Sequence, residues 1–229
     1  MRLVWLWNNN NRPMDEGDPP LMADPTGIDV SYAQGSFNWG AHREIDFGMC
    51  KVTEGLTITD PDWVHNWNSM WSLKPTHTLP RFAYHFFHAD DDPVKQAERL
   101  VSTVKTHGLL AGDNFVCDLE ATESNGSNDN VSAATVASRA HKFLDTVNGL
   151  APNHRVLVYT NPSFAETGAC AGLNPWHLWI AHYGVSKPTV PRPWSNWSFW
   201  QTGDSPIDMD RYNGTEAQLL SFTRMPKSR

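Results

Sequence analysis

Short runs of β-branched and aromatic residues recur along this chain with amphipathic helical stripes between the early ones, and after residue 177 the stripes stop. No other feature limits the fold as strongly. Two strands joined through a helix lie parallel in one sheet, and such a sheet needs cover on both faces. The strand-like runs are GIDVS (27–31), FGMCKVTE (47–54), RFAYHFFHA (81–89), NFVCDLEA (114–121), RVLVYTN (155–161), HLWIAHYG (177–184), WSFWQTG (197–203) and IDMDRYN (207–213).

The helix signals between them are specific. Trp63, Trp67, Met70 and Trp71 share a helical face after Asp60 and Pro61. A second helix takes Asp92 as N-cap and Pro93 as its first residue, carries Val94, Ala97, Val101 and Val104 on its stripe, and stops at Gly108. A third runs from about Val131 to Val147 with Val136, Ala140, Phe143 and Leu144 on one face and Gly149 after it. Alternation of this kind implies an α/β parallel sheet, and eight strands suggest a closed barrel made irregular by its missing late helices. A doubly wound open sheet is the alternative, but no glycine-rich phosphate loop follows the first strand.

At 229 residues, one large domain is expected over residues 26–229, behind a leader of residues 1–25. The leader, MRLVWLWNNNNRPMDEGDPP and onward, has neither a long apolar run nor a small-residue cleavage site, so a standard signal peptide is not expected. No stretch approaches the roughly 20 apolar residues that span a bilayer, and a membrane is not an expected partner. The formal net charge is −7 and the basic residues form no patch that could follow a phosphate backbone, which argues against nucleic acid. The eleven Trp residues suit either core packing or flat sugar faces. Cys50, Cys117 and Cys170 show no framework spacing and read as buried thiols.

Acids interrupt several of the strands, and alternation decides where they point. In FVCDLEAT, Asp118 and Glu120 share a side with Val116, while Phe115, Cys117 and Leu119 take the other side to pack under helices. Ile28 and Val30 likewise leave Asp29 opposite them, and Asp208 and Asp210 fall together opposite Met209. If the barrel closes, four or five carboxylates converge near the C-terminal ends of its strands, where barrel enzymes assemble their sites. Like charges held close raise at least one pKa, so one carboxyl can donate a proton while another stays anionic, as glycoside hydrolysis requires. A bound divalent cation is the competing explanation of the same acids.

His85, His88 and Asp90–Asp92 in HFFHADDD could suggest a metal, but on a strand positions i and i+3 face opposite sides, and Asp92 is already a helix cap. Neither a metal nor a cofactor is called for. GxSxG, P-loop and HExxH patterns are absent from the sequence, and no Cys stands in a nucleophile context.

Seven segments in order then resemble one family: GIDVSYAQG near the start, KVTEG (51–55), FAYHFF (82–87), FVCDLE (115–120), WIAHYG (179–184), FWQTG (199–203) and IDMDRYNG (207–214). The chain resembles the glycoside hydrolase family 25 lysozymes of the Chalaropsis type, found in fungi, bacteria and phage. The resemblance implies an irregular (β/α)5β3 TIM-like barrel that cleaves the β-1,4 bond between N-acetylmuramic acid and N-acetylglucosamine in peptidoglycan. By motif position it makes Glu120 the general acid and Asp118 its partner, with Asp29 and Asp208 completing the acidic site. Tyr84, Tyr183, Trp200, Gln201 and Asp210 stand at positions resembling sugar-contacting ones. The family motif commonly has asparagine where this chain has Asp210, and alanine where it has Val52.

Bacterial peptidoglycan is the implied partner and a monomer the expected state. Action at the bacterial wall, with phage-type or other delivery that bypasses standard secretion, fits the leader; a phage endolysin has this profile. A wall-binding barrel that does not cut, and a metal-dependent deacetylase or amidase, are the alternative functions. Residues i and i+2 of a strand lie about 6.6 Å apart at roughly 3.3 Å per residue, between the retaining and inverting carboxyl separations, so spacing leaves the stereochemical course open. The family is usually described as retaining.

Overall fold

The computed structural model describes residues 24–73, 79–122 and 128–224. The leader therefore lies outside the described residues, apart from its last two positions. Nine strands form one sheet in the order β1-β9-β8-β7-β6-β5-β4-β2-β3, and a further pairing of β1 with β2 closes it into an eight-stranded barrel with the two-residue β3 appended. The open-sheet alternative is thereby excluded. All eight sequence-derived strands are present: β1 (Thr26–Val30), β2 (Phe47–Glu54), β4 (Arg81–Phe86), β5 (Asp113–Asp118), β6 (Val156–Thr160), β7 (His177–Ala181), β8 (Phe199–Gly203) and β9 (Asp208–Tyr212). Six of the eight seams are parallel; β9 runs antiparallel to both of its neighbours, β8 and β1. The extra strand β3 (Ile58–Thr59) hairpins back onto the end of β2.

Helices α1 (Trp63–Trp71), α2 (Pro93–Lys105) and α3 (Ala133–Leu150) cover the parallel half. Asp92 caps α2 by accepting from the Val94 and Lys95 amides at 2.9 and 3.3 Å, ahead of Pro93, so that terminus forms as its residues dictate. Two boundaries differ from the sequence expectation. Gly149 lies inside α3, where it faces open space, and the helix runs one residue further because Ala151 still donates to the Val147 carbonyl at 2.9 Å. Trp71 turns off the buried stripe of α1 and is 47% exposed. A short α4 (Pro162–Phe164) runs on into a π turn (Ala165–Ala169), which the sequence did not signal. The last helix, α5 (Glu216–Arg224), follows β9.

Alternation along the strands produces two separate cores. Ile28, Val30, Cys50, Val52, Phe115, Cys117, Leu119 and Val158 pack outward under the helices. Phe47, Met49, Phe82, Tyr84, Val116, Leu157, Tyr159, Trp179, Phe199 and Tyr212 fill the barrel, and Leu219 and Phe222 of α5 join them. Phe222 lies 5.8 Å from both Phe199 and Tyr212 and 4.7 Å from His177, so α5 stops the end of the barrel where β7 begins. Gly27 is required there: a Cβ on it would run into the Phe47 ring.

On the outer face, Arg81 is 1% exposed. Its Nε and Nη2 donate to the two oxygens of Asp113 at 2.8 and 2.6 Å, and its guanidinium lies 3.9 Å over the Trp67 ring. Packing accounts for most of the Trp residues, since Trp39, Trp63, Trp67, Trp176, Trp179, Trp194 and Trp200 are all buried. The three Cys are free and buried.

Candidate active site

With one end stopped by α5, the other end receives the carboxylates. Asp29 is the penultimate residue of β1 and Asp118 the last of β5. Asp208 opens β9, whose reversed direction brings its first residue to the same end; in that register Asp208 sits directly opposite Asp29 and Asp210 opposite Gly27. Glu120 follows β5 by two residues. All five acids named from the sequence are thus brought to one mouth, but at different depths. Asp29, Asp118 and Asp210 are 5%, 6% and 1% exposed, whereas Glu120 and Asp208 are only partly buried. Of the two acids that parity could not separate, Asp208 lies at the opening and Asp210 beneath it.

The barrel wall between these acids is aromatic and hydroxyl-bearing. Gln201 on β8 donates its amide to Asp29 Oδ2 at 2.7 Å, while its carbonyl oxygen accepts from both the Tyr159 and Tyr183 hydroxyls at 2.8 and 2.6 Å. Tyr84 donates to the Val30 carbonyl at 3.1 Å. Trp179 gives its indole N–H to Asp210 Oδ1 at 2.8 Å. Gln34 reaches Asp208 Oδ2 with its amide at 3.2 Å, oriented by its own oxygen accepting from the Ser31 amide at 2.8 Å.

Protons are held tightly here. For Asp29, Asp118, Asp208 and Asp210 burial is the largest cause and raises each of them. Asp29 is driven well above the ordinary carboxylate range, with Asp210 and Asp208 adding their negative charge and the Gln201 amide opposing. Asp210 is pushed to about 7, against the Trp179 hydrogen bond, and Asp208 to about 6 with help from Asp204. Asp118 is raised by burial and then by the Glu120 charge; Lys51 works against both. The apolar enclosure therefore belongs to Asp118, and Glu120 stands in the more open position.

A register shift in β2 supplies that opposing cation. In a regular strand Lys51 and Glu54 would face opposite sides, but the irregularity between Lys51 and Thr53 lets them pair at 2.6 Å. His88 contacts the other Glu54 oxygen at 3.2 Å, and these two partners hold Glu54 down to about 2 despite its burial. His85 faces the other way, between Thr53 Oγ1 at 2.8 Å and Gln96 Oε1 at 3.0 Å, and burial lowers it to about 3. Both histidines of HFFHADDD thus have structural partners. Asn128 holds the backbone at the acid itself, donating to the carbonyls of Glu120 and Phe87, each at 2.8 Å, and accepting from the Ala89 amide.

Among the sugar-contacting candidates, Tyr84 and Gln201 line the barrel, and Tyr183, 41% exposed, stands at its rim. Trp200 is placed elsewhere. Phe199 and Gln201 point inward, so alternation turns Trp200 outward, where its ring joins the layer under the helices and its N–H bonds the His182 carbonyl at 2.8 Å. Tyr159, Lys51, Gln34 and Asn128 were not singled out from the sequence. Parity within RVLVYTN marks Tyr159 as inward, but nothing local marks Asn128.

An eight-stranded barrel with clustered carboxyls, aromatic walls and one open end is the framework of a glycoside hydrolase. The model of the glycosyl hydrolases family 25 matches residues 28–210, and the chain belongs to that family: it is a glycosidase of the lysozyme type. Lysozyme M1 of Streptomyces globisporus is 29% identical over 220 residues, covering 86% of this chain and 70% of that protein. A bacterial lysozyme from Streptomyces coelicolor superposes with a TM-score of 0.78 at 26% identity, over 88% of this chain and 98% of that one. A family 25 lysozyme from Aspergillus fumigatus has the same fold at TM-score 0.79 and 22% identity, over 89% of this chain and all of that one.

Proposed function

We propose that this chain cleaves the β-1,4 bond between N-acetylmuramic acid and N-acetylglucosamine in bacterial peptidoglycan, with Glu120 protonating the departing sugar oxygen. The observation that carries the assignment is the difference in depth between the paired acids. Asp118 is enclosed and has one buried oxygen, Oδ1, with no partner among the described residues, while Glu120 sits two residues further out at the mouth. A proton donor must reach the glycosidic oxygen from the open side, and the deeper carboxyl meets the sugar ring from below. Lys51 pulls against burial and the Glu120 charge, which together still raise Asp118, and an anionic Asp118 is the form that the oxocarbenium-like transition state rewards. Asp118 Oδ1 can then serve either the anomeric carbon or the N–H of the substrate's own acetamido group.

Asp29 and Asp208 add negative potential on the opposite wall. Tyr84, Gln201 and Tyr183 offer hydroxyl and amide contacts to the sugar. One chain supplies every group in the site, which supports action as a monomer at the wall, and among the described residues no helix is long and apolar enough to cross a membrane.

Incubation with purified peptidoglycan should release new reducing ends. Glu120→Gln should lower that rate by about 10²- to 10⁴-fold, the usual contribution of a positioned general acid, with circular dichroism unchanged. Full activity in Glu120→Gln would overturn the assignment.

A further inference from the structure

Beneath Asp208, two buried carboxyls meet across the β1–β9 seam. Asp29 and Asp210 both point into the barrel as diagonal neighbours in the antiparallel register, and are 5% and 1% exposed. Each is otherwise tied by a neutral donor: Asp29 Oδ2 by the Gln201 amide at 2.7 Å, Asp210 Oδ1 by the Trp179 indole at 2.8 Å. Asp210 Oδ2 is left buried with no donor among the described residues. Two ionised carboxyls are both acceptors only, so Asp29 can satisfy this orphaned oxygen only if one of the pair carries a proton.

Among the described residues, nothing around the pair replaces that proton. Asp208 lies two residues along β9 and is itself acidic. From β4, Tyr84 spends its hydroxyl on the Val30 carbonyl; from β6 and beyond β7, Tyr159 and Tyr183 spend theirs on Gln201. Trp179 on β7 and Gln201 on β8 are neutral. Lys51 on β2 acts on Asp118 and Glu54, across the site, as do the charges of Asp118 and Glu120 on β5.

We propose that Asp210 is a positioning residue that stores one proton between itself and Asp29, and that this proton fixes the Asp29 wall of the active site in its working geometry. The idea rests on the glycosidase site described above and adds its internal regulation: loss of the proton leaves two anions facing each other at the floor of the site. Burial already pushes Asp210 up to about 7 and raises Asp29 well above the ordinary carboxylate range, so the proton is held into the neutral range and released as the pH rises beyond it. Asn at position 210 would present a permanent N–H donor to Asp29 in nearly the same shape, which makes Asp210→Asn the informative variant.

Two readouts separate this idea from the hydrolase assignment. Infrared spectra of the free protein should show, at about pH 6, one protonated carboxyl C=O stretch more in the wild type than in Asp210→Asn, and that band should vanish as the wild type is titrated to about pH 9. The second is the ratio of wild-type to Asp210→Asn kcat as a function of pH, in which any titration common to both proteins cancels. It should fall by at least roughly tenfold between about pH 6 and about pH 9. Identical infrared spectra, or a flat ratio, would overturn the proposal. If Asp210→Asn does not fold, Asp29→Asn supplies the donor from the other side and should remove the same infrared band. Absence of glycan cleavage in every protein, with the infrared difference present, would instead sink the hydrolase assignment and leave the stored proton standing.

Discussion

Replacing Gln201 by Met tests whether the site is held as one network, because this one side chain joins Asp29 to Tyr159 and Tyr183. Met keeps the approximate volume and removes three hydrogen bonds, of 2.7, 2.8 and 2.6 Å. The losses are unequal. Tyr159 is 8% exposed and its hydroxyl would be stranded, at about 1–3 kcal/mol. Asp29, 5% exposed, would lose its amide donor at a similar cost of about 1–3 kcal/mol. Tyr183 is 41% exposed, so water replaces its partner for under about 1 kcal/mol.

The total, about 3–5 kcal/mol, is a large share of a domain's stability. With a urea slope of about 2–3 kcal/mol/M, the unfolding midpoint followed by Trp fluorescence should drop by roughly 1–2.5 M. Tyr183→Phe should move it by less than about a third of that, since its partner is exposed. A midpoint shift for Gln201→Met equal to that of Tyr183→Phe would refute the idea that this amide is the junction of the site.

Elsewhere, Arg81→Met strands the buried Asp113 carboxylate and should cost about 3–5 kcal/mol, a melting temperature lower by roughly 6–20 °C for a chain of this size, with Asp113→Leu restoring much of it in the double variant. A single-variant loss no larger than that of the double would contradict the pairing. Phe222→Ala unplugs the far end of the barrel and should cost about 3 kcal/mol while kcat stays within a few-fold, because α5 lies opposite the carboxylates; calorimetry and reducing-end release on one sample check both halves. His85 is a base whose folded pKa is depressed from 6.5 to about 3, so its contribution is complete above pH 6.5 and is lost as the pH falls toward 3. The stability gap between wild type and His85→Gln should therefore widen from acid toward pH 6.5, and a gap that narrows would reverse the assignment.

Where local rules governed, the sequence was readable. Strand parity placed Phe115, Cys117 and Leu119 outside and Asp118 with Asp29, Asp208 and Asp210 inside, because one buried face on each side of the sheet leaves no slack in register. The Asp92–Pro93 start of α2 was equally legible. Failures followed from what parity omits. The irregularity in β2 put Lys51 and Glu54 on one side, and no residue in FGMCKVTE announces it.

Trp200 was assigned by motif position, although its neighbours Phe199 and Gln201 already required it to face outward. Gly149 did not end α3, since an exposed helical glycine costs only about 1 kcal/mol relative to alanine. Asn128, which fastens the Glu120 backbone across eight residues, depends on long-range placement that spacing cannot show. Asp210 at the position usually held by asparagine looked like a chemical departure, but a protonated aspartate offers the same donor.

The central claim is that Glu120 and Asp118 cut the bond on the reducing side of N-acetylmuramic acid. Mass spectrometry of borohydride-reduced digestion products tests it most directly, by identifying which sugar carries the new reducing end. Reduced N-acetylmuramic acid at the new ends, absent from a Glu120→Gln digest, is the predicted result. Reduced N-acetylglucosamine, or glycan strands left intact while peptide or acetyl groups are removed, would contradict it.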